Sequence, residues 1–207
     1  RQGTGVKNWI KAKFRECGIV PNGDSVYRPD RREEAMKQLP EMAQARLRHA
    51  YARLDQLGQQ EKDATRLMVE QSRHFPEVAR FTALPGVGTV GACTFFAIVQ
   101  TPKRFPDKHG LWSYAGLKVV TKESAGKTLS HPRLTSGGVK ALKTMSRRAF
   151  LGSLHTAHGD NVIANYYRQR REAGRNPHAA RLTTQRKILS ILLHLWKTGE
   201  EFNPNKV

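Results

Sequence analysis

The longest regular pattern in this sequence is helical and runs from about Arg31 to Arg73. Small and apolar residues recur there at intervals of seven, the spacing of a helical seam. These positions are Met36, Ala43, Ala50, Leu57 and Ala64. Pro40 and Glu61 interrupt the complementary series. Because a proline is tolerated at a helix start, the long helix is predicted to begin near Pro40. The pattern predicts a helical arm that forms an antiparallel hairpin or a dimerising coiled coil, or else one amphipathic helix packed on its own domain.

Strand-like alternation is scarce in the rest of the chain, and several segments carry apolar faces at helical spacing. Val6 to Cys17 is typical of a basic amphipathic helix, and residues through Asp30 are predicted to be a connector. Residues 118–138 are predicted to be loop, and residues 182–196 a strongly apolar last helix. The predicted fold is mainly α, a helix-hairpin-helix-containing domain preceded by the arm. The predicted divisions are 1–30 as the remnant of an amino-terminal domain with its connector, 31–75 as the arm, and 76–207 as the main domain.

The charge of the chain indicates a polyanionic partner. Lys and Arg number 36 against 17 Asp and Glu, which gives a formal net charge of +19 and favours nucleic acid. The sequence contains no run of about 18 apolar residues that would span a bilayer, so we expect no membrane partner. Its two cysteines do not make a disulfide framework, and a cytoplasmic, nucleoid-associated protein is expected.

The segment Leu84 to Ala92 has the most specific local signal. Pro85 restricts the residue before it, and Gly86 and Gly88 permit a tight turn whose backbone comes close to another surface. A second helix then begins with free N–H groups that suit a phosphate. This pattern resembles a helix-hairpin-helix motif, with nearby Arg80 and Lys103 as helpers on a DNA strand. The alternative is that the glycines only allow two helices to cross closely.

The segment from Lys118 to Lys140 is rich in serine, glycine and lysine. A serine hydroxyl attacks phosphorus only when a base, a metal ion or nearby cations assist it. Ser124 has the small neighbours Ala125 and Gly126, which would let a phosphodiester approach. The cations available in the segment are Lys118, Lys122, Lys127 and Arg133. The alternative is a basic loop in which serine favours turns.

The carboxy-terminal third of the chain is also basic. Tyr166-Tyr167-Arg168-Gln169-Arg170-Arg171 mixes aromatic rings with cations, as contacts to single strands or RNA often do. We therefore predict that Arg168, Arg170 and Arg171 bind nucleic acid. The alternative is a solvated basic face with tyrosines in the core. The eight histidines show no consistent ligand spacing, so no metal ligand is predicted.

The order of several short motifs resembles the carboxy-terminal transposase domain of the IS110 insertion-sequence family, relatives of the pilin-inversion recombinases. The resemblance covers roughly residues 77–155. The motifs are Leu84-Pro85-Gly86-Val87-Gly88, Arg104-Phe105, Tyr114-Ala115-Gly116-Leu117, Ser124-Ala125-Gly126-Lys127 and the helix start at Gly138 to Lys143.

The resemblance implies DNA as the partner, a structured guide RNA, and a serine that forms a covalent link to DNA. Matching the serine before the family's Gly-Lys gives Ser124 as the candidate nucleophile, with Ser130 as a lesser candidate. The family's usual Lys-x-Gly-Asn is replaced here by Ser136-Gly137-Gly138-Val139. Its phosphate contacts are therefore reassigned to Lys140 and Lys143.

The resemblance also implies Mg²⁺, held by four acidic residues of an amino-terminal domain that residues 1–30 do not supply. We therefore expect this chain to bind nucleic acid without cutting it alone, and to form homo-oligomers through the arm. Two other functions stay open: a non-catalytic helix-hairpin-helix DNA-binding module, and an assembly element whose helices mainly make a dimer.

Overall fold

The structure, a computed structural model, describes residues 2–121, 123–124, 127–128, 133–155 and 161–206, and gives the backbone at 123–124 and 127–128. The mainly α prediction is confirmed. The α-helices are α1 (Gln2–Glu16), α2 (Pro29–Met36), α3 (Glu41–Ser72), α4 (Pro76–Thr82), α5 (Thr89–Val99), α6 (Lys108–Tyr114), α7 (Lys140–His155), α8 (Val162–Glu172) and α9 (Pro177–Thr198). Short 3₁₀ helices cover Ser25–Tyr27, Pro102–Arg104 and Pro204–Lys206. Within the described residues, no helix is both long enough and apolar enough to cross a membrane.

The chain divides into two compact units, residues 1–67 and 68–207, and the division falls within α3. It differs from the predicted boundaries at 30 and 75, because residues before and after position 30 share one hydrophobic core. That core contains Ile10, Phe14, Val26, Met36, Leu39, Leu47 and Tyr51. Arg32 braces it: the guanidinium donates hydrogen bonds to the Tyr27 carbonyl and the Asp55 carboxylate and lies 4.7 Å from the centre of the Tyr51 ring.

The predicted helical arm begins where Pro40 placed it, since α3 starts at Glu41. The first half of its seam packs inside the first unit, where Ala43, Ala50 and Leu54 are partly buried against the core. Ala64, at the end of the seam, is exposed. The early seam positions are therefore used by packing within the chain. Coiled-coil pairing stays a prediction.

In the second unit α9 packs against α4, α6, α7 and α8. Its buried residues include Ile188, Leu189 and Leu192, as the apolar periodicity of residues 182–196 predicts. Trp196 lies near the end of α9, and its ring is 5.0 to 5.9 Å from the rings of three phenylalanines. These are Phe81, Phe95 and Phe96. The last helix therefore ties α4 and α5 into the core.

The predicted loop at 118–138 contains short antiparallel pairs, and this part of the prediction was wrong. β1 (Val119–Val120) pairs with β4 (Arg133–Leu134), and β2 (Glu123–Ser124) pairs with β3 (Lys127–Thr128). Each strand has only two residues, too few to show the alternation by which strands are recognised. We call these four strands together the ribbon.

Candidate nucleic-acid interface

The base of the ribbon is fixed by two glycines from different segments. Gly116 and Gly138 have φ of +68° and +100°, and a Cβ on Gly138 would lie 2.4 Å from the Gly116 nitrogen. The Val139 N–H donates to the Tyr114 carbonyl at 2.7 Å, and the Thr135 N–H donates to the Lys118 carbonyl at 2.9 Å. The two ends of the ribbon are therefore held together by a backbone approach that only glycine permits.

Arg186 of α9 supports the same place from inside the domain. Its Nε donates to the Leu117 carbonyl at 2.9 Å, and its guanidinium carbon lies 5.2 Å from the centre of the Trp112 ring. The Trp112 indole N–H donates to the Arg186 carbonyl at 3.1 Å. Burial lowers the pKa of Arg186 from its usual value. Arg186 thus anchors the residue at which the ribbon begins.

A cleft of about 530 Å³ opens beside the ribbon base. We call it the ribbon cleft. The ribbon contributes Val119, Arg133 and Leu134 to its lining. The rest of the lining is Leu117, three residues of α7 (Lys143, Thr144 and Arg147), the α9 N-cap Asn176, and five residues of α9 (His178, Ala179, Arg181, Leu182 and Gln185).

The ribbon cleft has a strongly positive lining. Arg133, Lys143, Arg147 and Arg181 line it, and no Asp or Glu is among its described lining residues. Of the ion pairs found between described residues, none involves these four cations. Cations that are not neutralised within the protein and converge on one concave surface suit a phosphate backbone.

The structure gives Ser124 a definite place in the backbone. Ser124 pairs with Lys127 across the β2–β3 ladder, and only two residues separate those partners in the sequence. Five residues lead from Val119, which lines the ribbon cleft, to Ser124, so their Cα atoms are at most about 18 Å apart. Lys122 and Ser130, the other candidates of this segment, lie outside the described residues.

The remaining cations predicted for the serine segment are not all at the cleft. Lys143 and Arg133 line it, whereas Lys118 is exposed and lines a separate cavity with Arg186 and Trp112. Lys140 is exposed at the first position of α7. The backbone of Lys127 is in β3.

The predicted turn at Leu84 to Gly88 joins α4 to α5, and its two glycines have different surroundings. Gly86 has φ of +86°, and a Cβ there would lie 2.0 Å from the Ala149 carbonyl oxygen and 2.6 Å from the Ser153 nitrogen of α7. Gly88 is exposed, and a Cβ there would meet nothing within 4 Å. Packing inside the domain therefore accounts for Gly86. Gly88, the N-cap of α5 without a side-chain cap, leaves the helix N-terminus accessible.

The helpers predicted for this turn are not grouped around Gly88. Arg80 lies 3.3 Å from the Glu201 carboxylate, so its charge is engaged within the protein. Lys103 follows the carboxyl end of α5, the end opposite Gly88, which an eleven-residue helix separates by roughly 15 Å. Arg80 and Lys103 are close to Gly88 in the sequence, but the fold does not bring their charges together at Gly88.

The aromatic and basic segment at Tyr166 to Arg171 forms part of α8. Tyr167 packs on Phe150 with ring centres 5.0 Å apart, and Arg170 and Lys187 lie over the Tyr166 ring. The side chain of Arg171 donates to the Arg175 carbonyl at 2.7 Å. Arg168 is exposed and donates to the Asn165 side chain. Both rings are thus covered by the protein's own side chains, and base stacking on them would require rearrangement.

No three His, Cys, Asp or Glu side chains of the described part of the chain come together as a metal ion would need. The Mg²⁺ implied by the resemblance therefore does not fit these residues.

Two residues of this site were missed by reasoning from the sequence: Arg147 and Gln185. Arg147 is a cation in a helix whose basic face is typical of ordinary solvated surface. Gln185 lies in an apolar helix, where it reads as a core polar residue. Their shared signal is spatial, because α7 and α9 pack side by side, and it exists only once the helices are placed.

Comparison with known proteins shows what one part of this chain is similar to. Residues 78–168 match the family described as "Transposase IS116/IS110/IS902 family". A relative from Streptomyces coelicolor, "Insertion element IS110 uncharacterized 43.6 kDa protein", is 31% identical over 118 residues, which is 57% of this chain and 28% of the relative. Residues 78–168 thus match a transposase domain of the IS110 family, which confirms the resemblance seen in the motifs.

The family match and the ribbon cleft overlap only in part. Residues 78–168 include the ribbon and α7, but the α9 wall of the cleft, from Asn176 to Gln185, follows the matched segment. The aligned part of the chain also spans less than a third of the length of the Streptomyces relative.

Proposed function

We propose that this chain is the DNA-binding and strand-exchange part of an insertion-sequence transposase, in which Ser124 attacks a DNA phosphodiester. The observation that supports this most is the position of Ser124 on a ribbon rooted in a cleft of cations. Arg133, Lys143, Arg147 and Arg181 would hold the phosphates of one DNA strand beside the ribbon. The same cations would stabilise the negative charge that develops on phosphorus during the attack.

In the proposed step the Ser124 Oγ forms a bond to phosphorus and gives up its proton to a base. The bond from phosphorus to one deoxyribose oxygen breaks, and that oxygen leaves and is protonated. The product is a serine–DNA phosphodiester. Because one phosphodiester has replaced another, the link to serine can be attacked in turn by a second deoxyribose hydroxyl. That attack releases Ser124 and joins a new strand.

We propose that an acidic domain of the intact transposase supplies the metal site, as the resemblance implies. This proposal is supported by the length of the relative, because the aligned part of this chain covers only 28% of it. The 207-residue chain should then retain DNA but show no magnesium-dependent cleavage by itself. Robust cleavage by the purified chain would contradict this division of labour.

The exposed N-terminus of α5 is proposed as a second contact to the DNA backbone, of the helix-hairpin-helix kind. Gly88 is open to solvent and the helix dipole is positive there. Gly88→Glu puts a carboxylate at that end, and it should weaken retention on DNA without unfolding the domain, because a side chain fits there. Unchanged affinity in the folded variant would exclude this contact.

A structured guide RNA and self-association through α3 are proposed on the resemblance and on the helical seam. Leu67 is 58% exposed on α3, which supports a partner for that helix. Sedimentation of the chain alone and with RNA transcribed from the element's ends tests both.

The experiment that tests the central step is covalent trapping with the intact parent protein, magnesium and a nicked DNA that stalls religation. Protease digestion and mass spectrometry then locate the peptide that carries a nucleotide. We expect the adduct on Ser124, and we expect Ser124→Ala to abolish it while Ser130→Ala retains it. An adduct on Ser130 would correct the residue. Absence of any adduct in a complex that binds and cuts DNA would leave this chain as a non-catalytic DNA-binding module.

A further inference from the structure

The ribbon cleft contains more apolar surface than phosphates require. Val119 and Leu134 face each other across the β1–β4 ladder, and they are 38% and 36% exposed. Leu117 and Leu182 continue this lining inward. Contact with apolar side chains does not stabilise a bound phosphate. It does stabilise a bound nucleobase, because the faces of the base are apolar and are removed from water.

The cleft also has a polar side chain whose amide nitrogen has no hydrogen-bond acceptor among the described residues. Gln185 is 5% exposed and lines the cleft. Its Oε1 accepts a hydrogen bond from the Ser146 hydroxyl at 3.3 Å. No described group accepts a hydrogen bond from its amide nitrogen. The amide nitrogen is not among the fully buried side-chain atoms that lack a partner, so it is open to the cleft and can donate to a ligand there.

Resting on the proposed function, we infer that the ribbon cleft takes one unpaired base of the DNA strand that Ser124 attacks. The apolar walls would cover the faces of the base, and Gln185 would donate to an acceptor on its edge, such as a ring nitrogen or a carbonyl oxygen. The cations at the rim would hold the phosphates on either side. A volume of about 530 Å³ lies in the range of sites that enclose small ligands.

This assignment makes Gln185 a specificity-determining residue. Cations alone would hold any strand equally well, because phosphates carry no sequence information. A base held by an amide in an apolar cleft would set the register of the strand, and therefore select which phosphate reaches Ser124. The base must be out of its pair, so the reacting strand should be locally unpaired when it binds.

The test uses the full 207-residue chain and two DNA probes of equal length, oligo-dT and a strand whose every residue is abasic. Fluorescence anisotropy at fixed salt gives the ratio of the two affinities. We expect the native chain to prefer oligo-dT at least tenfold, and Gln185→Met to lower that preference about tenfold, equivalent to about 1.4 kcal/mol. Val119→Ser, at an exposed wall position, should lower it too, and it keeps the test valid if Gln185→Met does not fold.

Arg147→Ala is the matched control, since it should weaken both probes by the same factor. Equal affinity of the native chain for the two probes would overturn the inference. So would an unchanged preference in both folded variants. If oligo-U RNA binds more tightly than oligo-dT through Gln185, the occupant is an RNA base and the assignment to DNA is wrong. These outcomes do not depend on a Ser124 adduct, so failure of the base site and failure of the nucleophile can be told apart.

Discussion

Two glycine-rich regions of the second unit can be compared directly, because both form tight turns against neighbouring elements. The turn from Leu84 to Gly88 joins two helices, and its Gly86 is pressed against the backbone of α7. The junction of Gly116 with Gly138 joins the two ends of the ribbon. In both regions glycine allows a close approach of two backbones. The second lies beside a cleft lined by cations that form no ion pair with another described residue, so the difference lies in the charge around each turn.

The largest expected effect comes from Gly86→Ala and Gly138→Ala. Each new Cβ would meet backbone at 2.4 Å or less, and each φ lies in the left-handed region. We expect each change to cost about 3 kcal/mol or more of folding free energy. Chemical denaturation measures it. Gly88→Ala is the control, since its Cβ has open space and should cost under about 1 kcal/mol. Similar losses in all three would show that the close approaches do not exist.

Arg186→Met separates the two regions, because the Arg186 side chain bonds the ribbon base and covers Trp112 of α6. The Leu117 carbonyl would lose its donor in a position that is 1% exposed, and we expect a loss of about 2 kcal/mol. Hydrogen exchange should become faster at the ribbon base and stay unchanged at the Ala83 to Gly88 turn. Equal acceleration at both turns would mean that Arg186 acts on the whole core.

Two adjacent arginines of α7 compare the regions as DNA surfaces. Arg147 lines the ribbon cleft. Arg148 is three residues from Met145 and four from Gly152, which both contact the Gly86 to Gly91 segment, so it shares their face of the helix. We expect Arg147→Ala to weaken DNA binding about tenfold and to lower the salt dependence by roughly one phosphate contact. Anisotropy titrations at several salt concentrations measure both.

Arg148→Ala should weaken binding less than Arg147→Ala does. The reverse order would move the main DNA contact to the turn between α4 and α5.

The smallest expected effect is a difference in acid sensitivity. The Gly110 N–H donates to the Asp107 carboxylate at 2.8 Å, and this bond holds the pKa of Asp107 below the 3.8 usual for aspartate. A lowered folded pKa gives stability that is present above the unfolded pKa and lost as the pH falls through the folded pKa. Below about pH 3.8 we therefore expect α6 to loosen.

The turn that begins α5 has Gly88 in the corresponding position and should lack this response. Asp107→Asn should remove it from α6 as well. Hydrogen exchange across this pH range measures both helices. If α6 keeps its full pH response in the Asp107→Asn variant, the response comes from another carboxylate.

Much of this architecture follows from local sequence. The start of α3 after Pro40, the turn at Gly86 and the apolar face of α9 all depend on residues close together in the chain, and they were predictable. The ribbon was not, because two-residue strands carry no period and the Gly116–Gly138 junction joins residues 22 positions apart. The cleft was not either, because Arg133, Arg147 and Arg181 meet only when the ribbon, α7 and α9 are packed.

The most direct test of the central claim, that the ribbon cleft holds the strand attacked by Ser124, is site-specific photocrosslinking in the intact parent protein. Benzoylphenylalanine would replace Thr144, an exposed residue that lines the cleft, or Val90, which is 47% exposed in the first turn of α5. The account predicts that position 144 crosslinks within a few nucleotides of the phosphate trapped on Ser124, and position 90 only farther along the DNA. Crosslinking of that nucleotide from position 90 and not from position 144 would contradict it.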